Sequence, residues 1–156
     1  MKYSACYWKN HQSIEKKHLY KYLPQAELDM LFLTCKRAQI KNGLKILDLG
    51  CGWGSLTLYL AEHYPQSEIY AVSNSTTQKK YILNQAKNLG FSNITVFTSD
   101  IQDFVSGIKF DRIISIEMFE HMRNYPKLFE KISHFLSPTG KLFIHIFSYR
   151  HLPYTF

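Results

Sequence analysis

The run Ile46-Leu-Asp-Leu-Gly50-Cys-Gly52-Trp-Gly54-Ser55 constrains the fold of this chain more than any other stretch. A short apolar segment containing an acid leads directly into three glycines at alternate positions. Glycine accepts positive φ and lets the backbone approach a ligand that a Cβ would hold off. The pattern predicts a buried strand, a tight loop and a helix in succession, with a nucleotide-like ligand over the loop. Asp48 has two readings, an acid facing that ligand or an acceptor that ties the turn.

The rest of the chain repeats the strand–helix alternation without low-complexity segments. Pro24 fits the start of a first helix over Gln25 to Ile40, with an apolar stripe of Leu28, Leu31, Phe32, Cys35 and Ala38. Lys45 to Leu49 is the first strand, and Ser55 to Tyr64 is a helix that Pro65 stops. Ile69 to Val72 is the second strand, Thr76 to Leu89 a helix closed by Gly90, and Ile94 to Thr98 the third strand. Phe110 to Ile116 is the fourth strand and Tyr125 to Leu136 a helix. A turn at Ser137-Pro-Thr-Gly140 then precedes a fifth strand over Leu142 to Phe147. The expected fold class is α/β: a Rossmann-like, doubly wound, mainly parallel sheet of about five strands.

At 156 residues the chain has the size of one domain. Its 46% apolar content is that of a globular protein, and no window approaches the ~20 apolar residues of a bilayer span. The segment after Met1 is polar and aromatic, unlike a secretory signal, so a cytoplasmic location is expected. Cys6, Cys35 and Cys51 are odd in number and widely spaced, which points to free thiols and to no metal site. The net charge of +7 is spread along the chain, with Lys9, Lys16, Lys17 and Lys21 the densest group. No nucleic-acid partner is expected, while weak contact with an acidic membrane surface stays open.

In a doubly wound sheet, ligands bind beyond the carboxyl ends of the strands. The second strand runs into Ser73 and Asn74 and lacks the carboxylate that usually meets a ribose, which leaves that role to Ser73, Asn74 and Gln78. The third leads to Asp100 and Ile101, an acid able to accept from an adenine amino group beside an apolar residue able to pack on its ring. A turn cap is the other reading of Asp100. The fourth leads into Glu117-Met-Phe-Glu120-His121. If that turn is helical, Glu117, Glu120 and His121 share a face at i, i+3 and i+4. Two carboxylates and an imidazole could hold a cationic amine and take its proton, which an ammonium of pKa near 10 requires before its nitrogen can attack. Metal ligation and a surface ion-pair cluster are rival readings.

These motifs resemble class I S-adenosylmethionine-dependent methyltransferases, in the group holding cyclopropane fatty acid synthases and coclaurine-type N-methyltransferases. The resemblance rests on Tyr3-Ser-Ala-Cys-Tyr-Trp8, Leu47-Asp-Leu-Gly-Cys-Gly-Trp-Gly54, Ala71-Val-Ser-Asn-Ser75 with Gln78, Asp111 to His121, and Leu142 to His145. The placement of Gly54, one residue earlier than in dinucleotide enzymes, is the methyltransferase spacing. The resemblance implies S-adenosyl-L-methionine as cofactor and S-adenosyl-L-homocysteine as product. Tyr3, Ser4 and the turn of Asp48, Gly50, Cys51, Gly52 and Gly54 would hold its methionine part. Ser73, Asn74 and Gln78 would hold its ribose side, and Asp100 with Ile101 its adenine.

In the synthases a cysteine, a glutamate, a histidine and a later tyrosine hold a bicarbonate base; Glu120 and His145 match two of these positions. The cysteine position is Ala5 here, and the neighbouring Cys6 would face the other way in extended chain. The synthases usually carry glycine where this chain has Glu117, whereas Ile-Glu-Met-Phe-Glu-His is the N-methyltransferase form. Relatives also begin before Tyr3 and continue past the fifth strand. Residues 1–156 are therefore expected to be a single cofactor-binding domain of a longer enzyme, with an open sheet edge able to form a homodimer.

Three functions follow: N-methylation of a small amine, methylation of an unsaturated fatty acyl phospholipid, or cofactor binding without catalysis. Glu117, Glu120, His121 and His145 are the expected catalytic residues. In the lipid reading, Tyr7, Trp8, Lys9, Lys16 and Lys17 form a membrane-facing edge, and Tyr149 to Tyr154 either cover the pocket or form a frayed tail.

Overall fold

The computed structural model describes residues 4–9 and 19–148. Tyr3, Lys16, Lys17 and the stretch from Tyr149 to Tyr154 lie outside the described residues. The elements run α1 (Leu19–Arg37), β1 (Lys45–Leu49), α2 (Ser55–His63), β2 (Glu68–Ser73), α3 (Thr76–Leu89), β3 (Ile94–Thr98), β4 (Phe110–Ile116), α4 (Tyr125–Phe135) and β5 (Leu136–His145). A single 3₁₀ turn, Phe119–His121, separates β4 from α4.

The strands form one sheet in the order β3-β2-β1-β4-β5, and every pairing is parallel. Parallel neighbours need crossover helices, and these cover both faces of the sheet. Alternation along β1 shows the two layers. Ile46 packs with Leu31 and Cys35 of α1 and Leu60 of α2, while Leu47 and Leu49 pack with Leu128 and Ile132 of α4. Ala71 and Val96 meet Ile82 of α3. The chain order reverses between β1 and β4, the position where such sheets open a crevice.

At α3 the structure adds a cap to the one expected at Gly90. The Ser75 hydroxyl accepts the Gln78 N–H at 3.3 Å, and Gly90 ends the helix in the left-handed conformation. At α1 the expectation is corrected. Pro24 lies inside the helix rather than at its start, and the helix ends at Arg37. Proline removes only one backbone donor, and this first part of α1 is exposed, Tyr20 to Gln25 facing solvent. The buried face also differs, because Ala26, Met30, Leu31, Thr34 and Cys35 point inward while Leu28 (48%) and Phe32 (53%) stay exposed.

The turn expected at Ser137 to Gly140 is a second correction. This segment belongs to β5, and the pairing jumps from Phe110 with Leu136 to Arg112 with Lys141, so its extra residues form a bulge. The strand accordingly starts at Leu136 and ends at His145, two residues before the expected end. Among the described residues no helix is long and apolar enough to cross a membrane.

Candidate active site

Pairing between β1 and β4 runs only from Ile46 with Arg112 to Asp48 with Ile114. Beyond it the buried Ser115 hydroxyl donates to the Leu49 carbonyl at 2.9 Å, taking the place of the ladder as the strands part. The chain after β1 stays with β2 instead, since the N–H groups of Gly50 and Cys51 both donate to the Val72 carbonyl, at 3.1 and 3.0 Å. Two adjoining cavities, of about 510 and 590 Å³, open where β1 and β4 diverge. Gly50, Gly52, Gln78, Glu117 and His121 line both.

Two glycines of the turn do different work. At Gly54 (φ 81) a β-carbon would lie 2.5 Å from Ile82 Cγ1, so this residue lets α2 pack against α3 and does not line either cavity. At Gly52 (φ 52) a β-carbon would meet no protein atom within 4 Å, and it would stand at the wall of both cavities. The space that this missing β-carbon leaves free is the space a bound ligand needs.

Asp48 combines its two readings. It is 2% exposed, accepts the Thr57 hydroxyl at 2.6 Å and so fixes the first turn of α2, yet it also lines the first cavity. Burial pushes its carboxyl up to about 6, against the opposing pull of side-chain and backbone hydrogen bonds from Thr57. Burial, with the Asp48 charge adding to it, raises the Cys51 thiol as well. Cys51 therefore contributes a small apolar wall rather than a nucleophile. Ser4 and Trp53 complete this cavity, with Trp53 edge-on to Tyr81 at 5.3 Å.

The second cavity collects Ser73, Asn74, Gln78, Asp100 and Ile101. The Ser73 hydroxyl donates to Gln78 Oε1 and accepts the Ser75 N–H at 3.0 Å, which orients the polar wall at the end of β2. Asp100 is a turn acceptor for the Gln102 N–H at 2.8 Å and a cavity residue at once. Leu49, Met118 and Met122 supply the apolar lining that a flat ring requires.

The turn after β4 does not form the helix on which Glu117, Glu120 and His121 would share a face. Glu117 has φ 50, a left-handed conformation that breaks the helix before it starts, and only Phe119–His121 coil as 3₁₀. Glu117 and His121 still reach the same cavities, whereas Glu120 and His145 line neither. Glu117 Oε1 accepts the Ala5 N–H at 2.8 Å, and its own N–H donates to the His145 carbonyl at 2.7 Å. Glu120 Oε1 accepts the Phe147 N–H at 2.9 Å. Glu120 Oε2 and His145 Nδ1 are buried and have no partner among the described residues. Sequence reasoning missed the polar Ser55, Ser99 and Gln102 as cavity residues, and with them the apolar Leu49, Trp53, Leu56, Val72, Ile116, Met118, Met122 and Phe147. The apolar ones read as core in the sequence.

Comparison with known proteins fits this geometry. A structure of coclaurine N-methyltransferase bound to N-methylheliamine and SAH superimposes with TM-score 0.84 at 43% identity, covering 92% of this chain and 40% of that one. The mycolic acid cyclopropane synthase CmaA1, complexed with SAH and CTAB, shares the fold with TM-score 0.77 at 23% identity, covering 92% of this chain and 47% of that one. In sequence, (S)-coclaurine N-methyltransferase of Thalictrum flavum subsp. glaucum is 42% identical over 98% of this chain and 42% of its own length. Cyclopropane-fatty-acyl-phospholipid synthase of Escherichia coli (strain K12) is 35% identical over 93% of this chain and 35% of its own. The chain thus spans about two-fifths of these curated relatives. The family model described as mycolic acid cyclopropane synthetase matches residues 1–154, and the chain belongs to that family.

Proposed function

We propose that this chain is the cofactor-binding domain of an S-adenosyl-L-methionine-dependent N-methyltransferase acting on a small amine. The observation that carries the reading is the convergence of the glycine turn with Glu117 and His121 on one pair of cavities. The residues present fit the cofactor. Gly52 leaves its β-carbon space free, Asp48 offers a carboxylate to a cationic amino-acid end, Ser73 and Gln78 offer polar contacts to a sugar, and Ile101 offers an apolar surface beside Asp100. When bound, S-adenosyl-L-methionine supplies a methyl carbon on a sulfonium, open to attack by a neutral nitrogen.

The chain's own task is then the acceptor's proton. An amine arrives mainly as the ammonium, which the carboxylate of Glu117 attracts. Glu117 Oε1 is held by the Ala5 N–H, which leaves Oε2 to receive the acceptor. His121, on the same wall, serves as the second proton carrier. Glu120 and His145 sit behind them, where they position the end of β5 against the site.

A second reading, methylation of an unsaturated acyl phospholipid, draws on the unpartnered Glu120 Oε2 and His145 Nδ1, the kind of buried acceptors a small oxyacid would satisfy. A cofactor-binding chain without catalysis is the third. Incubation with methyl-labelled cofactor and either small amines or unsaturated phospholipid separates the three. We expect label on amine, a 10²- to 10⁴-fold slower rate in Glu117→Gln, and an unchanged affinity for S-adenosyl-L-homocysteine. Label on lipid alone would establish the second reading, and label on neither the third. A cytoplasmic location and a homodimer through the β5 edge complete the proposal, tested by cell fractionation and by sedimentation.

A further inference from the structure

A third cavity, of about 380 Å³, lies beside the second, and the reading above gives it no use. Ile101, Gln102, His121 and Met122 line both and form the wall between them, and Leu128 continues the apolar floor of the third. Its rim is basic. Lys127 and Lys131 stand one turn apart on one face of α4, about 6 Å between neighbours, and Arg123 lines the same cavity from the residue before the N-cap Asn124. No carboxylate lines this cavity. Among the described residues neither Arg123 nor Lys127 has an ion-pair partner, and Lys131 Nζ is anchored to the Gln102 carbonyl across the cavity. None of the three cations lines the first or second cavity.

Cations gathered at a concave surface without counter-charges repel one another unless an anion joins them. The neighbouring cofactor is not that anion: it has no phosphate, and its one carboxylate belongs to the methionine end, which the proposed reading seats at the glycine turn of the first cavity. We propose that this cavity is a separate binding site for a phosphate group carried on an apolar body. Arg123 and Lys127 clasp the phosphate, Lys131 closes the far side, and Ile101, Met122 and Leu128 take the apolar part. The volume lies within the range of small-ligand sites. The site also differs from the basic N-terminal edge expected from sequence, where Lys9 is already paired with Asp29 at 2.9 Å.

A soluble phosphate ester and a phospholipid headgroup share this chemistry, and two probes tell them apart. The 156-residue chain is titrated with glycerol 3-phosphate in a calorimeter and sedimented with phosphatidylcholine vesicles with and without phosphatidylglycerol. The test variant is Arg123→Gln with Lys127→Gln. The control is Lys36→Gln with Lys87→Gln, which removes equal charge from exposed sites at the ends of α1 and α3. All four side chains are exposed, so matching melting curves are expected. The proposal expects at least one probe to bind wild type and control alike and the test variant roughly tenfold or more weakly. Binding of the vesicles alone identifies a headgroup; binding of glycerol 3-phosphate identifies a soluble ester. Equal weakening in both variants would show net charge at work, and a folded wild type that binds neither probe would equally overturn the site.

Discussion

On the β1–β2 side of the cleft the polar groups are already committed to the protein: Asp48 to Thr57, Ser73 to Gln78 and Ser75. On the β4–β5 side Glu117 stands at φ 50, and Glu120 Oε2 and His145 Nδ1 are buried without a partner among the described residues. The first side is a finished seat whose shape is set before any ligand arrives. The second holds open hydrogen-bonding capacity, at about 1–3 kcal/mol for each unsatisfied buried group. A fold keeps such costs where a ligand or a proton uses the vacancy. Under the proposed reading the first side seats the cofactor, and the second, with Glu117 at its wall, faces the acceptor.

The largest expected effect breaks the finished side. Gly54→Val forces a branched residue to φ 81 and a β-carbon to 2.5 Å from Ile82 Cγ1. It should lower stability by about 3 kcal/mol or more, read as a depressed denaturant midpoint. A midpoint unchanged from wild type would mean that α2 does not depend on that close packing.

Asp48 gives a comparable but pH-dependent effect. Its carboxyl is raised from 3.8 to about 6 in the folded chain, so between those values the folded state keeps a proton that the unfolded state has released. Stability from this group is therefore highest below pH 4, falls as pH rises toward 6, and stays reduced above it. The full difference is about 3 kcal/mol. Asp48→Asn should remove that slope, so the stability of the variant relative to wild type should rise between pH 4 and pH 7 in urea titrations. A constant gap would show that Asp48 ionises normally. The smallest effect sits at the hinge between the two sides. Ser115→Ala leaves the buried Leu49 carbonyl without its donor and should cost about 1 kcal/mol; calorimetric melting would detect it, and no change would mean that another donor replaces the hydroxyl.

Much of this architecture is legible in the sequence because its signals are local. The strand β1, the helix α3 with Gly90 at its end, and the strand β4 all lie where the pattern puts them. The failures are tertiary. Pro24 reads as a helix start, but the structure carries a proline inside α1. Leu28 and Phe32 read as core, but the sheet meets the Ala26 and Met30 side of the helix instead. The bulge at Ser137 to Gly140 depends on where β4 offers partners, which spacing along one strand cannot reveal.

The site shows the same contrast. Gly50, Gly52, Asp48, Ser73 and Asp100 gather at the cavities because each lies at or just beyond a strand end that the motifs mark, and Gln78 joins them from the first turn of α3. The assumption of a helical turn failed at Glu117, whose positive φ no residue preference announces, and it separated Glu120 from its two expected companions. Gly54 lies in the motif yet serves packing, a distinction visible only through its distance to Ile82.

The free space at Gly52 is where a cofactor would sit, and calorimetric titration of wild type and Gly52→Val with S-adenosyl-L-homocysteine probes it. A β-carbon there meets no protein atom within 4 Å, so a melting curve can verify that the variant is folded before it is titrated. The account predicts binding by wild type and a loss of at least about 100-fold, close to 3 kcal/mol, in the folded variant. Equal affinity in both proteins, or no binding by a folded wild type, would contradict it.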